Sequence, residues 1–370
     1  MDLDDNTMII LGSTGSIGTN TLKIARKHHI PIEMLTAGSN AELLSKQAKE
    51  FSPRIIVLKD STNKDKLEIT KNQKLFIGED GILEALNEAK SHTVINAIVG
   101  FSGLKPSLEA IRLGKILALA NKESLVVGGD FIDTKNIIPL DSEHFAPKEL
   151  TKNKTNIKKM IITASGGALR DVDMSEIATS TPQNALKHPN WNMGKKITID
   201  SATMVNKLFE ILEAKYLFHT NDIDALIERN SIIHALIQTN DNAIFAHLGH
   251  NDMRLPISYA MLGERAKDTQ SIRAIDISDF HFDLKKIDVN RYPLWNLKDE
   301  ILQSPKLGII INAANEILVQ RFLANKIAFG DISTNIFQAI ERFGGDLGHI
   351  KSIEDVFYLN KEIVDFYRFN

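Results

Sequence analysis

The chain has 370 residues, 43% of them hydrophobic and 25% charged, with a formal net charge of −3. These are ordinary globular values, the length exceeds what a single hydrophobic core usually serves, and the charge gives no footing for a nucleic-acid partner. With no cysteine, disulfides, thiolate nucleophiles and cysteine-ligated zinc are excluded. The acidic start Met1-Asp2-Leu3-Asp4-Asp5 is unlike a basic signal peptide, and no apolar run reaches the ~18 residues of a membrane span; a soluble, cytoplasmic protein is expected.

The first unit reads strand, glycine turn, helix, strand: Thr7 to Leu11, then Gly12-Ser13-Thr14-Gly15-Ser16-Ile17-Gly18, a helical run from Asn20 to about His28, and Ile32 to Ala37. A glycine turn in that context lets backbone N–H groups reach a pyrophosphate at the positive end of a helix. An NAD site usually places Asp or Glu after the second strand to bind the ribose 2′-hydroxyl. Here stand Gly38-Ser39-Asn40. With no carboxylate to repel a 2′-phosphate, NADP(H) is favoured over NAD(H), although no Arg or Lys supplies the positive partner.

Strands at Ile55 to Leu58, Thr93 to Val99 and Ile116 to Ala120, with a helix from about Lys105 to Leu113 ended by Gly114, continue the β/α alternation. The expected fold is α/β: a Rossmann-like, doubly wound parallel sheet over residues 1–139. After the apolar pair Ile137-Ile138, Asp141 and Glu143 fall two residues apart, on one side of an extended backbone, as hard oxygen ligands for a divalent cation.

Residues 140–280 read as a central α+β catalytic domain, with apolar runs at Met160 to Ala164, Ile232 to Ile237 and Ala243 to Leu248. Ser165 follows a strand and precedes Gly166-Gly167, a pattern that brings donors close to an anion. His188 and Trp191 lie in a Pro-, Asn- and Gly-rich stretch that suits a lid loop near 185–195. In the helical run that follows Ser201, Asn206 and Glu210 share a face at i and i+4, with Lys207 beside them. A linker over 281–294 containing Tyr292-Pro293 leads to a small helical domain over 295–370, with periods at Ile309 to Leu323, Ile332 to Phe343 and Ile353 to Phe366.

Taken in order, GSTGSIG at 12–18, LANKESLV at 119–126, LDSEH at 140–144, SGG at 165–167, HPNW at 188–191, MGKKITIDSATMVNK at 193–207 and NAANE at 312–316 resemble the 1-deoxy-D-xylulose 5-phosphate reductoisomerase family. The resemblance implies a cytoplasmic homodimer that rearranges 1-deoxy-D-xylulose 5-phosphate and reduces the product to 2-C-methyl-D-erythritol 4-phosphate, with NADPH and Mg²⁺ or Mn²⁺, Co²⁺ being a further candidate. It implies metal ligation by Asp141, Glu143 and Glu210, and substrate contacts from Lys122, Ser142, Glu143, Ser165, His188, Trp191, Ser201, Asn206, Lys207 and Glu210. The cofactor set it implies is Thr14, Gly15, Ser16, Ile17, Gly38, Ser39, Asn40, Asn121, Glu123 and Gly194.

Three departures stand out. The family usually has His-Pro-Gln-Ser where this chain has Glu228-Arg229-Asn230-Ser231, Leu208 replaces a glycine after Asn206-Lys207, and Phe145 replaces a small or polar residue. None touches an expected metal ligand. Two other classes share part of the pattern. Another NADP-dependent oxidoreductase of the aspartate-semialdehyde dehydrogenase kind needs a nucleophilic cysteine, which is absent. A non-catalytic dinucleotide sensor has no use for three carboxylates and a lysine in one constellation.

Overall fold

The computed structural model describes residues 7–191 and 193–369; the acidic Met1–Asp5 start lies outside them. In chain order the elements are β1 (Met8–Leu11), α1 (Ser16–Lys27), β2 (Ile32–Ala37), α2 (Ala41–Phe51), β3 (Ile55–Leu58), β4 (Lys74–Ile77), α3 (Gly78–Glu88), β5 (Thr93–Asn96), α4 (Leu104–Arg112), β6 (Ile116–Leu119), α5 (Lys122–Gly128) and β7 (Ile137–Pro139). There follow α6 (Ser142–Thr151), β8 (Ile157–Ala164), α7 (Met174–Ile177), α8 (Pro182–Ala185), α9 (Lys195–Thr203), α10 (Val205–Phe218), β9 (Ile223–Glu228), β10 (Ile233–Thr239) and β11 (Ile244–Leu248). The chain ends with α11 (Arg254–Leu262), β12 (Leu284–Lys286), α12 (Lys298–Gln303), α13 (Leu307–Leu323), α14 (Phe329–Phe343) and α15 (Ile353–Phe369).

Two compact units result. The first comprises Met1–Ser124, Asp133–Asp141 and Asp252–Arg273, the second Leu125–Ile132, Ser142–Asn251 and Ala274–Asn370. The boundaries read from sequence at 139/140 and 280/281, and the separate C-terminal helical domain, are not where these units divide. The reason in the first unit is local packing: α11 lays Ile257, Ala260 and Met261 into the same apolar core as Leu22, Ile24 and Ala25 of α1, so burial of that face ties residues far along the chain to the N-terminal sheet.

The first unit is built on a seven-stranded sheet of order β4-β3-β2-β1-β5-β6-β7, in which every neighbouring pair is parallel. Its central strands are continuous apolar runs, with Ile9, Ile10 and Leu11 of β1 and Ile55 to Leu58 of β3 fully buried, as a sheet covered on both faces requires. Connections run outward in one direction through β2 and in the other through β5, so the order reverses between β1 and β5. That reversal opens a crevice beyond the strands' carboxyl ends, where open α/β sheets bind ligands. The doubly wound expectation holds; the short edge strand β4 carried too weak a pattern to be read from sequence.

The second unit centres on a mixed five-stranded sheet, β11-β10-β8-β9-β12. β8 runs parallel to β9 and antiparallel to β10. Beside the sheet, α13 is apolar nearly all round, burying thirteen of its seventeen residues, and it packs against α14 and α15. A helix with so narrow a polar strip, at Glu316, Gln320 and Arg321, is a core element. Leu208 and Phe145, two of the departures noted above, are 0% and 4% exposed; Leu208 fills the core side of α10, and Phe145 meets the His247 ring edge-on at 5.7 Å. Among the described residues no helix is long and apolar enough to cross a membrane.

Candidate active site

In the first unit the glycine turn is a close-packed corner. Gly12 has φ +81°, and a Cβ there would lie 2.8 Å from the Ala97 carbonyl oxygen. Gly18 on α1 leaves no room for a side chain against Gly12 and Ser13. Gly15 caps α1 without a side-chain hydrogen bond, which leaves the first N–H groups of α1, at Ser16 and Ile17 beside Thr14, pointing out of a helix end with a positive partial charge. Gly38 and Ser39 are exposed after β2, whereas the Asn40 side-chain oxygen caps α2 by accepting from the Leu43 N–H at 3.1 Å.

Asn121 is buried. Its amide donates to the Ile98 and Gly100 carbonyls at 2.7 and 2.8 Å and to Glu123 at 3.2 Å, so it braces the loop after β5. That loop, Ala97 to Gly100, leaves the carboxyl end of β5 and exposes 70% of Val99. The sequence suggests a strand through Val99, but β5 ends at Asn96; an apolar run broken by Gly100 fits a strand end and a loop equally well. Lys122, 5% exposed, reaches the Asp141 carboxylate at 2.6 Å.

The extended reading of residues 141–143 does not hold. Ser142 begins α6, so Glu143 projects from a helical first turn. An acidic side chain there is stabilised by the helix dipole. The Ser142 hydroxyl donates to the Glu143 carboxylate. Met204, in the left-handed region at φ 66°, breaks α9 from α10, and the new helix axis presents Asn206, Lys207 and Glu210 along one side. Ser201 lies within the last turn of α9 and is not a helix cap.

A carboxylate cluster results. Glu143 and Glu210 bring oxygens within 4.8 Å of one another. Lys207, 3% exposed, pairs with Glu210, lies 3.5 Å from Glu143 and donates to the Thr163 carbonyl. The Asn206 amide donates to the other Glu210 oxygen at 2.5 Å. Two carboxylates this close, one of them 1% exposed, repel each other strongly in a low-dielectric interior. The donor set is therefore suited to a hard divalent cation.

The residues behind this cluster were not singled out from sequence. His144, wholly buried, donates through Nε2 to the Glu210 carbonyl at 2.9 Å, and its Nδ1 lies 3.1 Å from Glu213. Glu213 follows Glu210 by three residues, a spacing visible in the sequence but ambiguous between surface pair and buried partner.

Ser165 and the two glycines after it form a second cluster. Gly166 and Gly167 have φ +91° and +71°, and a Cβ on Gly167 would lie 2.7 Å from the Ser201 carbonyl oxygen. Glycine here lets the Ser165 turn lie against α9, so both serines belong to one neighbourhood. The His188 Nδ1 accepts from the Asn190 and Trp191 N–H groups at 3.2 and 2.9 Å, so the ring proton sits on Nε2, 2.9 Å from the Ser165 hydroxyl. Desolvation, reinforced by Arg170, pushes the His188 pKa down to about 4, which keeps the imidazole neutral near pH 7. Gly194 stands exposed at the start of α9, with nothing near its Cβ direction.

A doubly wound sheet with a glycine-turn crevice, carried in one chain with a carboxylate, lysine and serine cluster, defines a dinucleotide-dependent oxidoreductase. Family models for 1-deoxy-D-xylulose 5-phosphate reductoisomerase match residues 8–129, those for its C-terminal domain match residues 137–218, and those for the DXP reductoisomerase C-terminal domain match residues 248–365. The chain belongs to the 1-deoxy-D-xylulose 5-phosphate reductoisomerase family.

It is 52% identical over 360 residues to the reductoisomerase of Wolinella succinogenes, covering 97% of this chain and 99% of that one. The Nautilia profundicola enzyme is 48% identical, over 96% and 98% of the two chains. A DOX-P reductoisomerase crystallised with NADPH, fosmidomycin and magnesium superposes with a TM-score of 0.90 at 32% identity, covering 98% and 97%. The Zymomonas mobilis enzyme in complex with NADPH gives 0.84 at 33%, covering 98% of each chain.

Proposed function

We propose that this chain converts 1-deoxy-D-xylulose 5-phosphate to 2-C-methyl-D-erythritol 4-phosphate, with NADPH and a divalent cation, Mg²⁺ or Mn²⁺. The observation that carries this reading is the convergence of Glu143 and Glu210 around Lys207, with Asn206 on the opposite oxygen. Asp141, two residues before Glu143, completes the proposed ligand set, and Lys122 holds its carboxylate. When bound, the cation polarises vicinal substrate oxygens and NADPH supplies the hydride.

The protein's own groups do the rest. Ser165, Ser201, Asn206 and Lys207 offer hydroxyl, amide and ammonium donors to the substrate phosphate, whose binding energy orients the reacting carbons. Neutral His188 offers an N–H donor, and Trp191 beside it brings apolar surface that excludes water over a reactive aldehyde. In the first unit the N-terminus of α1 receives the pyrophosphate, and Gly38, Ser39, Asn40, Asn121 and Glu123 complete the NADPH contacts; Gly194 of the second unit is proposed as a further one.

The test is NADPH oxidation followed by absorbance, with the sugar phosphate and Mn²⁺. Oxidation that requires substrate and stops on chelation is the expected result. NADPH binding without oxidation, under either metal, would leave a dinucleotide sensor as the reading.

A homodimer in the cytoplasm belongs to the same proposal. Its support beyond family likeness is the edge strand β12, exposed along its length, with Leu284 37% exposed; unpaired sheet edges of this kind invite a partner. Light scattering coupled to size exclusion should give twice the 41.3 kDa chain mass, and a monomer mass at micromolar concentration counts against it.

A further inference from the structure

We propose that the turn after β9, templated by Glu228, is the seat of the His188–Trp191 segment, and that Glu228 and Asn190 are positioning residues for the substrate lid. The proposal deepens the functional reading above and rests on it for the identity of the substrate.

Glu228 ends β9 and is 0% exposed. Its carboxylate accepts three backbone N–H groups: Asn230 at 2.9 Å on one oxygen, Ile232 at 2.7 Å and Ile233 at 3.2 Å on the other. Ser231 between them lies in the left-handed region at φ 56°, a conformation that an uncompensated serine seldom holds. A buried carboxylate that satisfies three N–H donors shapes this corner, and it leaves the Arg229 carbonyl and the Ser231 hydroxyl turned toward Asn190.

Asn190 occupies both. Its amide donates to the Arg229 carbonyl at 2.6 Å and to the Ser231 hydroxyl at 2.7 Å, and its own carbonyl accepts from Asn251. The Arg229 carbonyl also accepts from Arg170 at 2.8 Å, and Arg170 donates to the Ser165 carbonyl at 2.8 Å. Since His188 contacts the Ser165 hydroxyl and accepts from the Asn190 N–H, the hydrogen bonds close a ring through Ser165, His188, Asn190, Arg229 and Arg170. A ring of this kind fixes the lid relative to the phosphate-binding turn, because each member is held on two sides. The family's histidine at position 228 is replaced here by a residue that faces the backbone, so its role in this chain is to shape the seat.

The test reads the lid without depending on turnover. Lys187 and Lys195 are exposed and flank the segment, so limited trypsin digestion of the full chain reports its opening. Asn190→Ala removes two hydrogen bonds from a partly exposed side chain, and cleavage at these lysines should rise roughly tenfold, with cleavage at Lys285 and Lys286 unchanged. Glu228→Gln should act in the same direction, and the double variant should add little, since both act through one contact. The KM for the sugar phosphate should rise similarly while the KM for NADPH stays constant. Should Glu228→Gln fail to fold, Asn190→Ala alone decides. Cleavage at Lys187 and Lys195 as slow in Asn190→Ala as in the unmodified chain overturns the proposal. Faster cleavage in a protein that never oxidises NADPH would uphold the seat and reject the substrate.

Discussion

Glu210→Gln loses metal-dependent turnover by on the order of 10²–10³-fold, the scale seen when one group stabilising transition-state charge is removed, while the chain stays folded. Glu210 is 1% exposed, and both of its oxygens are engaged, one by Asn206 and the other by Lys207. Glutamine keeps the shape but replaces an acceptor with an NH₂ donor, which then faces Asn206 or Lys207. It also removes the negative charge that a divalent cation needs beside Glu143. Lys207 retains Glu143 at 3.5 Å and the Thr163 carbonyl, so the buried ammonium is not stranded and a folded variant is expected. Calorimetric Mn²⁺ titration should show weakened binding in step with the lost rate. A variant within threefold of the unmodified rate would place the metal elsewhere.

Gly167→Ala is expected to damage the other half of the site. Its φ of +71° costs an L-residue about 1–2 kcal/mol. The new methyl would also lie 2.7 Å from the Ser201 carbonyl and 2.8 Å from the Ala202 nitrogen, both backbone atoms that do not rotate away, and overpacking of this kind typically adds about 1–3 kcal/mol. The relief is to push the last turn of α9 from the Ser165 turn, which separates the two serines proposed to share the phosphate. A lower unfolding midpoint and a raised KM for the sugar phosphate should appear together, with NADPH binding preserved. Gly194→Ala is the control: its φ is −61° and nothing lies within 4 Å, so its stability should stay within about 0.5 kcal/mol. If both variants unfold alike, close approach at Gly167 is not what its glycine is for.

The glycine turn, the strand and helix alternation of the first sheet and the family motifs were all legible in the sequence, because each is a local pattern: period-2 or continuous apolar runs, 3.6-residue faces and glycines at fixed offsets. So were Asn206 and Glu210, which a single helix brings together. The conformation of residues 141–143 was not, since a D-x-E pair after an apolar run fits an extended strand as well as the first turn of a helix, and only the packing of α6 selects the latter. The burial of His144 against Glu213, and the membership of α11 in the N-terminal core, depend on contacts between residues far apart in the chain. No periodicity encodes these.

What the sequence by itself determined is the chemistry available: a glycine-rich turn, carboxylates, an ammonium and hydroxyl donors, and the family to which they belong. What only the tertiary structure decided is how those groups are committed. Lys207 is held between two carboxylates, Asn121 braces a loop, and Glu228 turns its carboxylate onto its own backbone. Each assignment depends on which donor lies within hydrogen-bonding distance once the chain is packed, and a buried polar group takes the partner that packing brings to it.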